Sequence, residues 1–269
     1  MNTDQNTRFT QFVKQHELTD KIANDLKTVL ETCEIVLLCD DSGSMLRTIT
    51  EENGDPFNTN KIKTTRWMEL KKLAAALIDI ITVTNPNGLD LYFLNRGTQK
   101  NINDMTGLSS VFSVDPDGST NISRKLNEIY DNKKNLLINN KQLLIIVITD
   151  GEPTDGTSNP RSNLFNVITN LTKNGNVHVS FAECTDQEED MEYLDRWDNR
   201  IKNFDNTDDY REELRRVKSV NGQNFKFDYT DYVIKILLAT FIKSYFNLDQ
   251  ANNYYNYNND DNCDCCTIL

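Results

Sequence analysis

Residues 34–46, EIVLLCDDSGSML, decide how this chain is read. From Ile35 to Cys39 the run is apolar without interruption, the pattern of a strand covered on both faces in a parallel sheet. Asp40, Ser42 and Ser44 follow at alternate positions in a turn that contains Gly43. Open α/β sheets bind their ligands beyond the carboxyl ends of the strands, so these three groups lie where a site is expected. One carboxylate and two hydroxyls offer hard oxygen atoms, the donors that magnesium, manganese and calcium prefer.

Working outward, the rest of the chain alternates strand and helix patterns. Apolar residues recur at helical spacing over 8–32, before the first strand, and again over 67–81, where Trp67, Leu70, Leu73, Ala74, Leu77 and Ile81 mark an amphipathic helix. Between them, 51–65 reads as a loop. Strands are expected at 89–94, 142–149 and 177–182, with 142–149 (QLLIIVIT) central because it is the most apolar. Helices are expected over 121–137, 163–173, 191–201, 210–220 and 231–246, with a short helix or turn near 104–112 and an edge segment at 225–229. Such alternation implies βαβ units: an α/β, Rossmann-like, doubly wound and mostly parallel sheet with helices on both faces. The expected organisation is a helical lead-in over 1–33, one domain over 34–247 and an Asn-rich, disordered tail over 248–269.

Composition narrows the partners. In 269 residues, Asp and Glu outnumber Lys and Arg by 41 to 29, for a formal net charge of −12. That balance repels a phosphate backbone, so nucleic acid is not an expected partner. Cys33, Cys39 and Cys184 sit in or beside apolar segments, and Cys263, Cys265 and Cys266 crowd the C-terminus. This distribution is not a disulfide framework and suits a reducing compartment, the cytoplasm.

Three loops are expected to converge: residues 40–44 after the first strand, 117–120 before a helix and 150–155 after the central strand. Asp40-x-Ser42-x-Ser44, the Thr120 of GSTN and the Asp150 of ITDGEPTD resemble the metal-ion-dependent adhesion site of von Willebrand factor A domains. The resemblance spans about 34–246, and CDDSGSM, RWMEL, LYFLNR and DDYREEL are similar to an intracellular eukaryotic branch of that family. It implies that Ser42, Ser44 and Thr120 ligate Mg2+ or Mn2+ through hydroxyls, with Asp40 and Asp150 binding directly or through water. Neutral hydroxyls would leave the ion electrophilic enough to accept an Asp or Glu from a protein partner. Asp41, Asp117, Glu152 and Asp155 offer an acidic rim or, more simply, solvated loop acids, and Trp67 and Glu69 are assigned to packing the first long helix.

Two alternatives stay open: a phosphoester hydrolase using the same metal, and an assembly protein with a vestigial site. An enzyme is not expected. An aspartyl nucleophile at Asp40 would need a second carboxylate where Ser42 stands, His16 and His178 are expected to be structural or surface residues, and no GxGxxG or P-loop is present. Cys266-Thr267-Ile268-Leu269 fits a prenylation box loosely, and Cys263 and Cys265 are available for palmitoylation, which together would anchor the protein to the cytoplasmic face of a membrane.

Overall fold

The apolar run forms β1 (Cys33–Cys39), the third strand of a six-stranded sheet ordered β5-β4-β1-β6-β7-β8. The computed structural model describes residues 3–51, 62–138, 141–187 and 191–250. Cys263, Cys265 and Cys266, with the expected lipid attachment, lie outside the described residues.

Strand β1 pairs in parallel with β4 (Leu89–Phe93) on one side and β6 (Gln142–Thr149) on the other. β7 (Val177–Glu183) and β8 (Phe204–Thr207) continue in parallel beyond β6, and β5 (Gln99–Ile102) closes the other edge antiparallel to β4. This is the doubly wound α/β sheet. Four strands differ from expectation. β5 and β8 are additional strands, and β2 (Thr48–Glu51) pairs with β3 (Ile62–Thr65) as an antiparallel ribbon where a loop was expected. Residues 225–228, expected at an edge, carry no strand.

Because side chains alternate across a strand, β1 feeds two cores. Ile35, Leu37 and Cys39 face a layer containing α2 (Asp20–Thr32), α3 (Arg66–Thr82) and α9 (Tyr229–Leu238). Val36 and Leu38 face a layer containing α5 (Ile122–Leu137) and α6 (Pro160–Thr172). The helix after β1 thus packs on one face and the helix after β6 on the other. The crevice between the ends of β1 and β6 is therefore the topological switch point, the place where such sheets bind ligands.

The N-terminal helical region is two helices, α1 (Thr3–Gln15) and α2, with Thr19 capping α2 through its hydroxyl. The expected helix over 231–246 is broken after Leu238, and α10 (Lys243–Phe246) follows separately. His178 is buried, bonds Thr240 O at 3.1 Å and stacks on Phe241, and His16 bonds the Thr230 hydroxyl at 3.3 Å. Burial lowers the His178 pKa to about 4, so its imidazole is neutral.

On the α9 side the fold buries an ammonium. Lys235 Nζ lies 2.8 Å from Glu213 Oε1, on α8 (Tyr210–Asn221), and 3.2 Å from Asp249 Oδ2. Burial, only partly offset by Lys235, pushes the Glu213 carboxyl up to about 7 from 4.5. Its folded pKa exceeds the unfolded one, so its contribution to stability is complete below about pH 4.5 and is lost as pH rises through about 7. Lys235→Met leaves these acids buried without their cation. We expect a loss of about 3–5 kcal/mol in urea unfolding at pH 7.5, smaller at pH 5, where Glu213 is protonated.

Candidate metal centre

The β1–β6 register sets the two site carboxylates side by side. Cys39 is level with Ile148 and Asp40 N donates to Ile148 O at 2.9 Å, so Asp40 and Asp150 both leave the sheet at the switch crevice. Both are buried. Asp40 Oδ1 accepts from Ser42 N at 2.8 Å and Oδ2 from the Thr149 hydroxyl at 2.6 Å. Ser42 Oγ and Ser44 Oγ are 3.0 Å apart, and Ser44 Oγ donates to Asp150 Oδ1 at 2.8 Å. Four of the five expected ligands thus form one bonded run.

Thr120 reaches the same crevice through its loop. Gly43 N donates to Gly118 O at 3.2 Å, Thr154 N donates to Thr120 O at 2.9 Å, and the Thr154 hydroxyl accepts from Thr120 N at 2.8 Å. Thr120 is buried, and the bonds described for it are those of its backbone. Gly118 sits at φ +114°, where a Cβ would lie 2.4 Å from Asn95 Cγ. Only glycine fits that turn against the Asn95 amide.

The donor set fits a small divalent ion. Ligand oxygens held about 2.1 Å from magnesium at right angles lie about 3.0 Å apart, and the Ser42–Ser44–Asp150 oxygens are spaced at 3.0 and 2.8 Å. Desolvation by burial and the neighbouring Asp150 push the Asp40 carboxyl up to about 6. A buried acid shifted this way is short of a cation.

Asp150 has one. Arg66, the first residue of α3, places Nη1 2.7 Å from Asp150 Oδ2, both side chains being almost wholly buried, and its Nη2 lies 3.8 Å from Asp186, which is partly exposed. Arg66 lies outside the ligand set expected from the sequence. A signal was present: a cation in the first turn of a helix opposes the macrodipole and needs an anion of its own. Trp67 does pack, its ring against Phe112 and Phe93.

The acidic rim shrinks to Asp117 and Glu152. Asp41 is buried, accepting from Asn95 N at 2.8 Å and Arg96 Nε at 2.9 Å, and Asp155 is buried, holding Ser123 N and Oγ at the start of α5. These two acids tie the loops together rather than face a partner.

A second acidic group lies at the end of β7. Glu183, Asp195 at the end of α7 (Glu192–Asp195) and Asp208 bring oxygens within 4.8 Å of one another. Asn206 Nδ2 bridges Glu183 and Asp195 at 2.8 Å each, and Arg216 contacts Asp195 at 3.1 Å and Asp208 at 2.8 Å. Burial raises Glu183 well above its ordinary range and Asp208 to about 8. The Arg216 guanidinium and the Asn206 amide thus meet all three carboxylates from within the fold.

No protein-family model matches the chain, and no curated protein matches it. Among solved structures it is similar to von Willebrand A domains. The manganese-loaded TRAP protein of Plasmodium vivax aligns at 17% identity and a TM-score of 0.43, over 66% of this chain and 69% of that one. The VWA domain of SpRpn10 aligns at 15% and 0.45, over 72% and 98%. A von Willebrand factor type A protein from Catenulispora acidiphila aligns at 15% and 0.39, over 77% of this chain and 41% of that one. At such distances the α/β fold stands on this chain's own strand order.

Asp40→Asn removes the charge, keeps an oxygen to accept from Ser42 N, and puts an NH2 group where Oδ2 accepts from the Thr149 hydroxyl, which must turn to accept in its place. Because the folded pKa of about 6 lies above the ordinary 3.8, the wild-type fold loses stability as pH rises through 6. We expect the variant's melting point in EDTA to exceed wild type by several degrees at pH 7.5 and to match it near pH 4.5. A lower melting point at pH 7.5 would contradict this account.

Proposed function

We propose that the chain is a von Willebrand A-type interaction module in which Asp40, Ser42, Ser44, Thr120 and Asp150 hold Mg2+ or Mn2+. Its partner is a protein that supplies an Asp or Glu carboxylate to the same site. The observation that supports this most is the run of hydroxyl and carboxylate oxygens, spaced at 3.0 and 2.8 Å, in the switch crevice. When bound, the ion would supply a Lewis-acidic position open to an external oxygen.

The chain's own residues prepare that position. Ser42 and Ser44 present neutral oxygens, which bind without cancelling positive charge. Asp40 is fixed by Ser42 N and the Thr149 hydroxyl, so it meets a cation with little reorganisation. Asp41 and Asp155 lock the loops from behind. This arrangement suits reversible docking of a carboxylate. An assignment to the cytoplasm is part of the same proposal, resting on the cysteine distribution.

Calorimetric titration with MnCl2 at pH 7.5 tests the ion site: wild type should bind one equivalent, and the Asp40→Ala, Ser42→Ala double variant should bind at least a hundredfold more weakly. Water-proton relaxation of the Mn2+-loaded protein tests the partner chemistry. It should fall when an acidic peptide displaces water and stay unchanged with the Asn/Gln version of that peptide. Full metal affinity in the folded double variant would end the metal reading, and equal response to both peptides would end the carboxylate reading.

A further inference from the structure

Arg66 is not part of the ligand set above, yet it is the group that Asp150 holds most closely. Nη1 sits 2.7 Å from Asp150 Oδ2 and 3.5 Å from Asp150 O, and the side chains are 2% and 0% exposed. In so dry a setting the guanidinium does for Asp150 what a bound cation would do. We propose that Arg66 is an internal cation that competes with the divalent ion for Asp150, so that loading the site requires the Arg66–Asp150 pair to loosen. This rests on the metal reading given under Proposed function and adds a control to it.

Three observations carry the inference. First, the two contacts of Asp150 divide its carboxylate: Oδ1 faces Ser44 Oγ and Oδ2 faces Arg66. An ion seated on the serine side shares that carboxylate with the guanidinium and is repelled by its charge. Second, the pair is incomplete on the arginine's side. Arg66 Nε is buried without an acceptor, so the guanidinium is not held by a full set of bonds. Third, an alternative anion is at hand. Asp186 lies 3.8 Å from Nη2 and its side chain is 42% exposed, which leaves it free to follow the guanidinium as Asp150 releases it. α3 anchors the backbone of Arg66 through the Thr65 cap and the buried Trp67, so the exchange needs only side-chain motion.

The test compares wild type, Arg66→Gln and Asp150→Asn as full chains, each checked for folding by circular dichroism, in MnCl2 titrations at pH 7.5. We expect Arg66→Gln to bind Mn2+ at least tenfold more tightly than wild type and Asp150→Asn to bind far more weakly. Binding by Arg66→Gln alone would also support the role, as a latch closed in wild type. Equal or weaker binding by folded Arg66→Gln, with wild type binding normally, would overturn it and leave the metal reading standing. No binding by either folded protein would overturn both. Should Arg66→Gln fail to fold, the Arg66 Nε resonance of wild type decides: a shift toward the free-arginine position as Mg2+ is added supports competition, and an unmoved resonance at saturation with Mg2+ overturns it.

Discussion

Two carboxylates are forced together at the ends of adjacent parallel strands, and the rest of the site answers that constraint. The β1–β6 pairing runs unbroken from Cys33 opposite Gln142 to Cys39 opposite Ile148, so neither Asp40 nor Asp150 can withdraw without breaking the ladder. Like charges in a water-poor crevice repel strongly. The chain compensates them unequally. Asp150 receives a guanidinium, and Asp40 receives only dipoles, from Ser42 N and the Thr149 hydroxyl. Its raised pKa is the residue of that shortfall.

The neighbouring acids explain how the crevice keeps its shape. Asp40 and Asp41 are adjacent and both buried, but the alternation of an extended chain sends them to opposite sides. Asp41 turns toward the β4 end, where Asn95 and Arg96 satisfy it fully enough to make it a structural tie. Asn95 then carries the tie onward to Ser119. Asp155 does the same between the β6 loop and α5. The loops are therefore held by carboxylates other than the two that would meet an ion, and the site can change its charge without losing its frame.

What the sequence discloses follows from what hydrophobic patterning can see. Apolar runs mark β1, β4, β6 and β7 because those strands are buried on both faces, and helical periodicity marks α3, α5 and α6. β5 (QKNI) is a mostly exposed edge, and β8 (FDNT) buries Asp205 and Thr207, which bond each other, and Asn206, which bonds Asp198 and Glu183. A polar strand satisfied by tertiary hydrogen bonds has no apolar signature to read. The site was legible for the same reason that β1 was: Asp40, Ser42 and Ser44 follow the run directly. For Arg66 the sequence shows only a cation in the first turn of a helix; which anion meets it depends on a carboxylate 84 positions away. The burial of Asp41 and Asp155 was equally invisible, because adjacent acids look alike until the fold assigns them partners.

Two of the acid-rich places in the fold meet their carboxylates in different ways. Around Glu183, Arg216 touches Asp195 and Asp208, and the Asn206 amide bridges Glu183 and Asp195. No hydroxyl run faces that cluster among the described bonds, and its charge is met from within. In the switch crevice the guanidinium meets Asp150 at 2.7 Å and, more loosely, Asp186 at 3.8 Å, and Ser42 and Ser44 fill the space toward Asp40 with oxygen atoms that carry no charge. Counting Asp40, Asp150 and Arg66 at neutral pH, the crevice stands at −1, and a divalent ion would bring it to +1. Without the arginine the same ion would leave it neutral. A side chain that weakens the hold on the metal thereby makes the loaded site seek an anion, so one buried guanidinium links how tightly the ion is held to what the ion can dock.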